Sequence, residues 1–314
     1  MPTKLIKAGK RISDKEIKSL EGSKINDVSG YTIIDDDSDL ICADTGIPIV
    51  SYRKKALPAV NLKRNFGHLR TAVITSDNRG LAGGIIHNKV GERLTDRGPI
   101  GKVAGTRYRT LKKDGTLSNT QVAIPVQSGI IGYFGRDSRF PYCRECSWNS
   151  YYQDKWKQLL PFIKSVDSKY REISADDHQK QLEVAQQINS DFRIGNTVFT
   201  TLTVNKNWQT AIHTDKGNVM ASKFSGVMTA FTSGSYEGCF TLFPQYEIGV
   251  NLRTTDFLLF NNHLHHCNSP LIPKGAYERI SLVFYMRSNM TACNSAVEEL
   301  KFASGRSKGD PLYV

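Results

Sequence analysis

Asn207-Trp208-Gln209-Thr210-Ala211-Ile212-His213-Thr214-Asp215 sets an imidazole and a carboxylate two residues apart. On a β-strand that spacing puts both side chains on one face, where two ligands can meet one metal ion. Working outward, Thr197 to Val204 is β-branched and apolar and predicts a strand running into this stretch. Downstream, Phe224 to Phe231, Cys239 to Phe243, Asp256 to Phe260 and Ile280 to Tyr285 are short strand-like runs separated by Gly, Ser, Pro and Asn. Many short strands at such spacing predict a mainly β chain with flanking helices (α+β), its core a double-stranded β-helix of the cupin-like jelly-roll type.

A third ligand is sought among His263, His265 and His266. His266 is preferred: it follows the strand Phe257 to Phe260 and stands thirteen residues before Arg279, room for a turn through Asn268-Ser269-Pro270 and a return strand. His263 and His265 are read as solvent-facing or supporting groups. Two imidazoles and one carboxylate (His213, Asp215, His266) leave positions on an iron(II) ion for a bidentate co-substrate and dioxygen. The set resembles that of iron(II), 2-oxoglutarate-dependent oxygenases. The planar guanidinium of Arg279 suits the distal carboxylate of 2-oxoglutarate, and Ser281, on the same strand face, adds a hydroxyl donor.

From about Gly129 to Arg287 the chain is similar to the TET/JBP family of DNA nucleobase dioxygenases. The likeness rests on Phe140-Pro141-Tyr142-Cys143-Arg144, on the stretch from Val204 to Asn218, on His266-Cys267-Asn268 and on Glu278-Arg279-Ile280-Ser281-Leu282-Val283. The resemblance implies hydroxylation of the C5 methyl of a pyrimidine in double-stranded DNA, with 5-methylcytosine expected first and thymine as the alternative. It implies iron(II) and 2-oxoglutarate, with ascorbate, used by some algal members, as the alternative co-substrate. An enclosed site requires the target nucleotide to be flipped out, stacked and read by its hydrogen-bonding edge. Asn205, Asn207, Trp208 and Arg144 are the substrate-binding candidates, and Phe224 and Tyr285 are further aromatics that either stack on the base or fill the core.

Charge points to a polyanionic partner as well: 42 Lys plus Arg against 30 Asp plus Glu give a net +12. From Thr45 to Ser76 there is no acidic residue beside Arg53, Lys54, Lys55, Lys63, Arg64 and Arg70, and Arg93 to Lys113 adds a second basic run. Both are expected to flank the mouth of the site. No obligate protein partner is expected. The absence of an apolar run of membrane length and of a secretory h-region predicts an intracellular protein with no membrane contact.

Residues 1–65 are expected to form an N-terminal extension packed on or peripheral to the core, 66–295 the catalytic domain, and 296–314 a tail with a short helix and a loose end. Supporting helices are expected over 153–190, where Trp156, Leu159, Leu160 and Ile163 make one apolar stripe and Ser174 resembles an N-cap. Gly80 to Gly84 reads as a flexible loop. The six cysteines are too scattered for a disulfide framework and are expected to be free thiols, with Cys143-x-x-Cys146 a weak metal pair.

Overall fold

The computed structural model describes residues 3–76, 79–84, 102–104, 107–111, 117–122, 125–137, 139–215 and 223–305. One large sheet runs in the order Lys4–Ala8, Ser38–Cys42, Pro48–Arg53, Phe257–Phe260, Gly226–Gly238, Leu271–Tyr285, Thr201–Lys206, Val126–Phe134, Arg144–Glu145, with Ile74–Ser76 on the edge of Val126–Phe134. A smaller sheet, Cys267–Asn268, Thr241–Phe243, Ile248–Val250 and Thr32–Ile34, faces it. Residues from both sheets line one cavity between them. Such a pair of sheets enclosing a site is the jelly-roll expected from the strand spacing.

The long antiparallel pair Gly226–Gly238 and Leu271–Tyr285 forms the middle of the large sheet. Along Leu271–Tyr285 the faces alternate: Ile280, Leu282 and Phe284 are buried on the outer face, whereas Ser281, Val283 and Tyr285 line the cavity. The register slips between Gly234 and Tyr236. Gly234, at φ 72°, is required there, because a Cβ would stand 1.8 Å from the Ala276 carbonyl oxygen.

Helices Gln153–Ile173, Ala175–Gln186 and Leu62–Arg70 cover the outer face. Trp156, Leu159, Phe162, Ile163, Val166 and Tyr170 recur at helical spacing and bury one stripe against Phe231, Leu282 and Phe284. Phe231 is gripped by Phe66 at 5.9 Å and Phe162 at 5.2 Å. Phe224 belongs to this core and not to the cavity, so it is no base-stacking residue. The expected strand over 197–204 begins only at Thr201. The buried Asp167 carboxylate of the long helix accepts the Val198 N–H at 2.9 Å, and the Thr197 hydroxyl donates to the Ile194 carbonyl, so these residues form a turn instead.

The first 65 residues contribute four strands to the two sheets. The acidic knot pairs with the basic run: Asp39 binds Arg53 at 2.9 Å and Asp35 binds Lys54 at 3.1 Å, while Arg70 binds Glu278 at 2.5 Å. Three cations of the expected basic flank are therefore already partnered. The side chains of the second run, Arg93 to Lys113, lie outside the described residues, as does the end of the tail beyond Gly305. Gly80–Gly83 is a 3-10 turn, and Ala296–Ser304 is a helix with a full capping box between Ser295 and Glu298. Among the described residues no helix is long and apolar enough to cross a membrane.

The cysteines correct one expectation. Cys143 and Cys293 form a disulfide with Cα atoms 5.7 Å apart, which a sequence separation of 150 residues conceals. The other four are free and buried, burial pushing the Cys146 thiol up to about 12, and the disulfide at Cys143 removes any metal pair at 143 and 146. Replacing Cys293 by Ser is expected to lower stability by roughly 2–4 kcal/mol. The check is thermal unfolding: wild-type protein with reductant should melt like the variant, and identical melting with and without reductant would count against the link.

Candidate metal centre and co-substrate site

His213 and His266 are brought together by their backbones, each N–H donating to the other's carbonyl, at 3.1 and 2.9 Å. Asp215 follows on the same face, and its N–H donates to the Asn262 carbonyl at 3.0 Å. The ligand atoms of His213, Asp215 and His266 all lie within 4.8 Å of one another. Neither His263 nor His265 joins them: His265 Nε2 pairs with Glu21 at 3.0 Å, and His263 Nε2 is buried without a partner among the described residues.

Both ligand imidazoles are oriented by one local device. His213 Nδ1 sits 2.8 Å from the Ala211 carbonyl and His266 Nδ1 2.9 Å from the Leu264 carbonyl, each two residues upstream. A carbonyl only accepts, so each Nδ1 carries the hydrogen and each Nε2 presents its lone pair. Those Nε2 atoms lie 3.7 and 3.8 Å from the two Asp215 carboxylate oxygens, too long for hydrogen bonds. Burial, reinforced by neighbouring His213, pushes His266 down to about 4, so at neutral pH it is in the uncharged, ligating form. Two imidazoles and a carboxylate converging on one point fit iron(II).

The cavity beside the triad is about 460 Å³ and is lined by Asn205, Trp208, Ser281, Val283 and Tyr285, among others. Arg279 precedes Ser281 by two residues and shares its strand face. It is 3 % exposed, and its Nε and Nη2 have no hydrogen-bond partner among the described residues. A buried guanidinium with unused donors is costly unless an anion meets it, and a carboxylate matches its fork. Ser281 lines the cavity and Arg279 does not, but the unused donors of Arg279 on the same strand face make it the candidate partner for a carboxylate such as the distal one of 2-oxoglutarate.

The substrate candidates divide. Asn205 and Trp208 line the cavity, Asn205 accepting from the Ser128 hydroxyl at 2.6 Å and Trp208 Nε1 being buried without a partner among the described residues. Asn207 does not line it. At φ 51° it ends the strand Thr201–Lys206, its N–H donating to the Arg279 carbonyl and its Oδ1 accepting the Arg279 N–H at 2.7 Å. Arg144 is not brought to the triad either: it pairs with Asp137, lies over Phe134 and Phe140, and lines a separate cavity.

Three residues that sequence reasoning did not single out line the triad's cavity: Glu21, Arg79 and Arg287. Arg79 and Arg287 each have a buried Nε without a partner among the described residues, and Arg287 Nη2 donates to the Tyr285 hydroxyl at 3.1 Å. Burial holds the Arg79 guanidinium below arginine's usual range, opposed by Tyr285 and reinforced by Arg287. Arg287 was findable, since it continues the two-residue periodicity 279, 281, 283, 285. Nothing local marks Arg79 or Glu21.

Residues 129–288 match Tet_JBP, the oxygenase domain of the 2OGFeDO superfamily. The bifunctional helicase and thymine dioxygenase JBP2 of Leishmania infantum is 31% identical over 186 residues, 58% of this chain and 16% of that protein. Thymine dioxygenase JBP1 of Trypanosoma brucei brucei is 35% identical over 167 residues, 51% of this chain and 19% of that one. The chain spans less than a fifth of the length of these relatives. Among solved structures, NgTET1 in complex with 5mC DNA aligns with a TM-score of 0.53 over 94% of this chain and 100% of that one, at 13% identity, a likeness of fold. The matched half of the chain contains His213, Asp215, His266, Arg279 and Ser281, and the chain accordingly belongs to the Tet_JBP family of iron(II)/2-oxoglutarate-dependent dioxygenases.

Proposed function

We propose that this chain hydroxylates the C5 methyl group of thymine in DNA, with iron(II) held by His213, Asp215 and His266 and 2-oxoglutarate anchored by Arg279 and Ser281. The observation that carries the oxygenase part is the convergence of His213, Asp215 and His266 on one point, with a buried Arg279 guanidinium whose donors are unused among the described residues on the strand face of cavity-lining Ser281. When bound, the iron and the co-substrate supply the oxidant that turns a methyl C–H into C–OH. The chain's own share is positioning. Asn207 clamps the Arg279 backbone, Ser281 adds a donor beside it, and the sheets keep bulk water from the target carbon.

The sequence alone puts 5-methylcytosine first; two considerations move the choice to thymine. Both relatives named above are thymine dioxygenases. Arg79 and Arg287 bring donor-only groups into the cavity. At C4, thymine offers an acceptor oxygen, whereas 5-methylcytosine offers an amino donor that a guanidinium repels. Trp208 and Tyr285 are the aromatics available for stacking on a flipped base.

The test is nucleoside mass spectrometry of two duplexes, one with 5-methylcytosine and one with the ordinary four bases, incubated with protein, iron(II) and 2-oxoglutarate. Hydroxymethyluracil from both is the expected result. Hydroxymethylcytosine from the first duplex alone would sink the thymine reading, and turnover only with ascorbate would reassign the co-substrate. Arg287→Ala should weaken thymine discrimination by about 1–3 kcal/mol, roughly five- to 150-fold in kcat/KM, with iron binding unchanged.

A further inference from the structure

Three consecutive residues far from the matched span 129–288 touch both segments that carry the imidazole ligands. Helix Asp14–Ser19, capped by the Ser13 hydroxyl, turns back through Leu20, and the Glu21 N–H donates to the Lys18 carbonyl at 3.3 Å. Gly22 N–H then donates to the Ile212 carbonyl at 2.7 Å, and Ile212 N–H donates to the Ser23 carbonyl at 2.9 Å. Ile212 is the residue immediately before the ligand His213. On the other side, the Glu21 carboxylate accepts from His265 Nε2–H at 3.0 Å, and His265 is the residue immediately before the ligand His266. Behind them Ile17, 1 % exposed, packs on Ile212, Leu242 and Cys267.

This bracket has a definite task. Among the described residues the two ligand segments are joined by the bridge between His213 and His266, by the Asp215 N–H to the Asn262 carbonyl and by Thr210 to Asn268, without a continuous strand ladder. The contacts on Ile212 and His265, each the neighbour of a ligand, add to these bonds in setting how the two imidazoles face each other. The Glu21–His265 contact is sheltered, with 20% and 16% of the two side chains exposed. A ligand's supporting contacts fix ring orientation, and their loss lowers metal affinity.

We infer that Glu21 is a positioning residue of the metal centre: it holds His265, and through it the segment that presents His266, so that the N-terminal segment completes the site. The inference rests on the reading of His213, Asp215 and His266 as metal ligands.

The test uses the full chain, freed of metal and titrated with Co(II), with the Co(II) absorption spectrum as a second readout. Glu21→Ala and His265→Ala should each weaken binding by about 10- to 100-fold and alter the spectrum, while melting of the metal-free protein changes little. The double variant should lose no more than either single one, because the two changes remove the same contact. Glu21→Gln keeps an acceptor oxygen and should recover much of the affinity. Wild-type affinity and spectrum in Glu21→Ala would overturn the inference, as would fully additive losses in the double variant. No Co(II) uptake by the wild-type chain would instead remove the ligand triad on which it stands.

Discussion

Asp215→Ala should reduce 2-oxoglutarate turnover by roughly three orders of magnitude or more, the scale of loss when one member of a cooperative catalytic unit is removed. Asp215 supplies the only anionic ligand of the triad, and its two oxygens lie 3.7 and 3.8 Å from the two Nε2 atoms. Without it, two imidazoles face each other with ring centroids 4.4 Å apart and no carboxylate of the triad offsets the charge of the ion. Iron binding measured under anaerobic conditions should fall in parallel. The folded state should persist, because the Asp215 backbone bond to Asn262 does not involve the side chain. A variant that keeps wild-type iron affinity and turnover would show that the ligands lie elsewhere.

Arg279→Ala should act on the co-substrate and spare the metal. Removing one partner of a buried charge pair costs about 2–5 kcal/mol, which corresponds to roughly 30- to several-thousand-fold in KM for 2-oxoglutarate. Iron affinity should change little, since Arg279 contacts no ligand of the triad among the described residues. Arg279→Lys is not a conservative replacement here, because a single ammonium cannot reproduce two parallel donors, and it should recover only part of the loss. A normal 2-oxoglutarate requirement in Arg279→Ala would move the anchor to a cation that lines the cavity, Arg79 or Arg287.

Local pattern made much of the site legible. The spacing of His213 and Asp215, the run into Tyr285 and the stripe from Trp156 are each set within one element, where side-chain direction follows backbone period. The choice of His266 over His263 and His265 needed tertiary pairing, because the bridge to His213 joins residues far apart in sequence. The same holds for the cysteines and for the first 65 residues, whose strand Pro48–Arg53 pairs with Phe257–Phe260. Charge runs misled for a related reason. Asp35 and Asp39 lie close in sequence to Arg53 and Lys54, and a hairpin turns the acidic knot and part of the basic run into ion pairs. Asn207 looked like a base reader because amides suit both tasks; its positive φ and its hold on Arg279 assign it to the backbone.

The long strand Leu271–Tyr285 carries a constraint of parity. At about 3.3 Å per residue, Arg279 and Tyr285 stand roughly 20 Å apart, with every second residue between them turned to the cavity. Substitution at any one of these places leaves the others where they were. Deleting one residue between them would swap the faces, turning Leu282 and Phe284 towards the cavity and hydroxyl and guanidinium groups into the apolar layer beneath the helices. Exchange of this strand between relatives is therefore permissible only in segments of matched length, and the distance from co-substrate anchor to base pocket is a property of residue count rather than of side-chain identity.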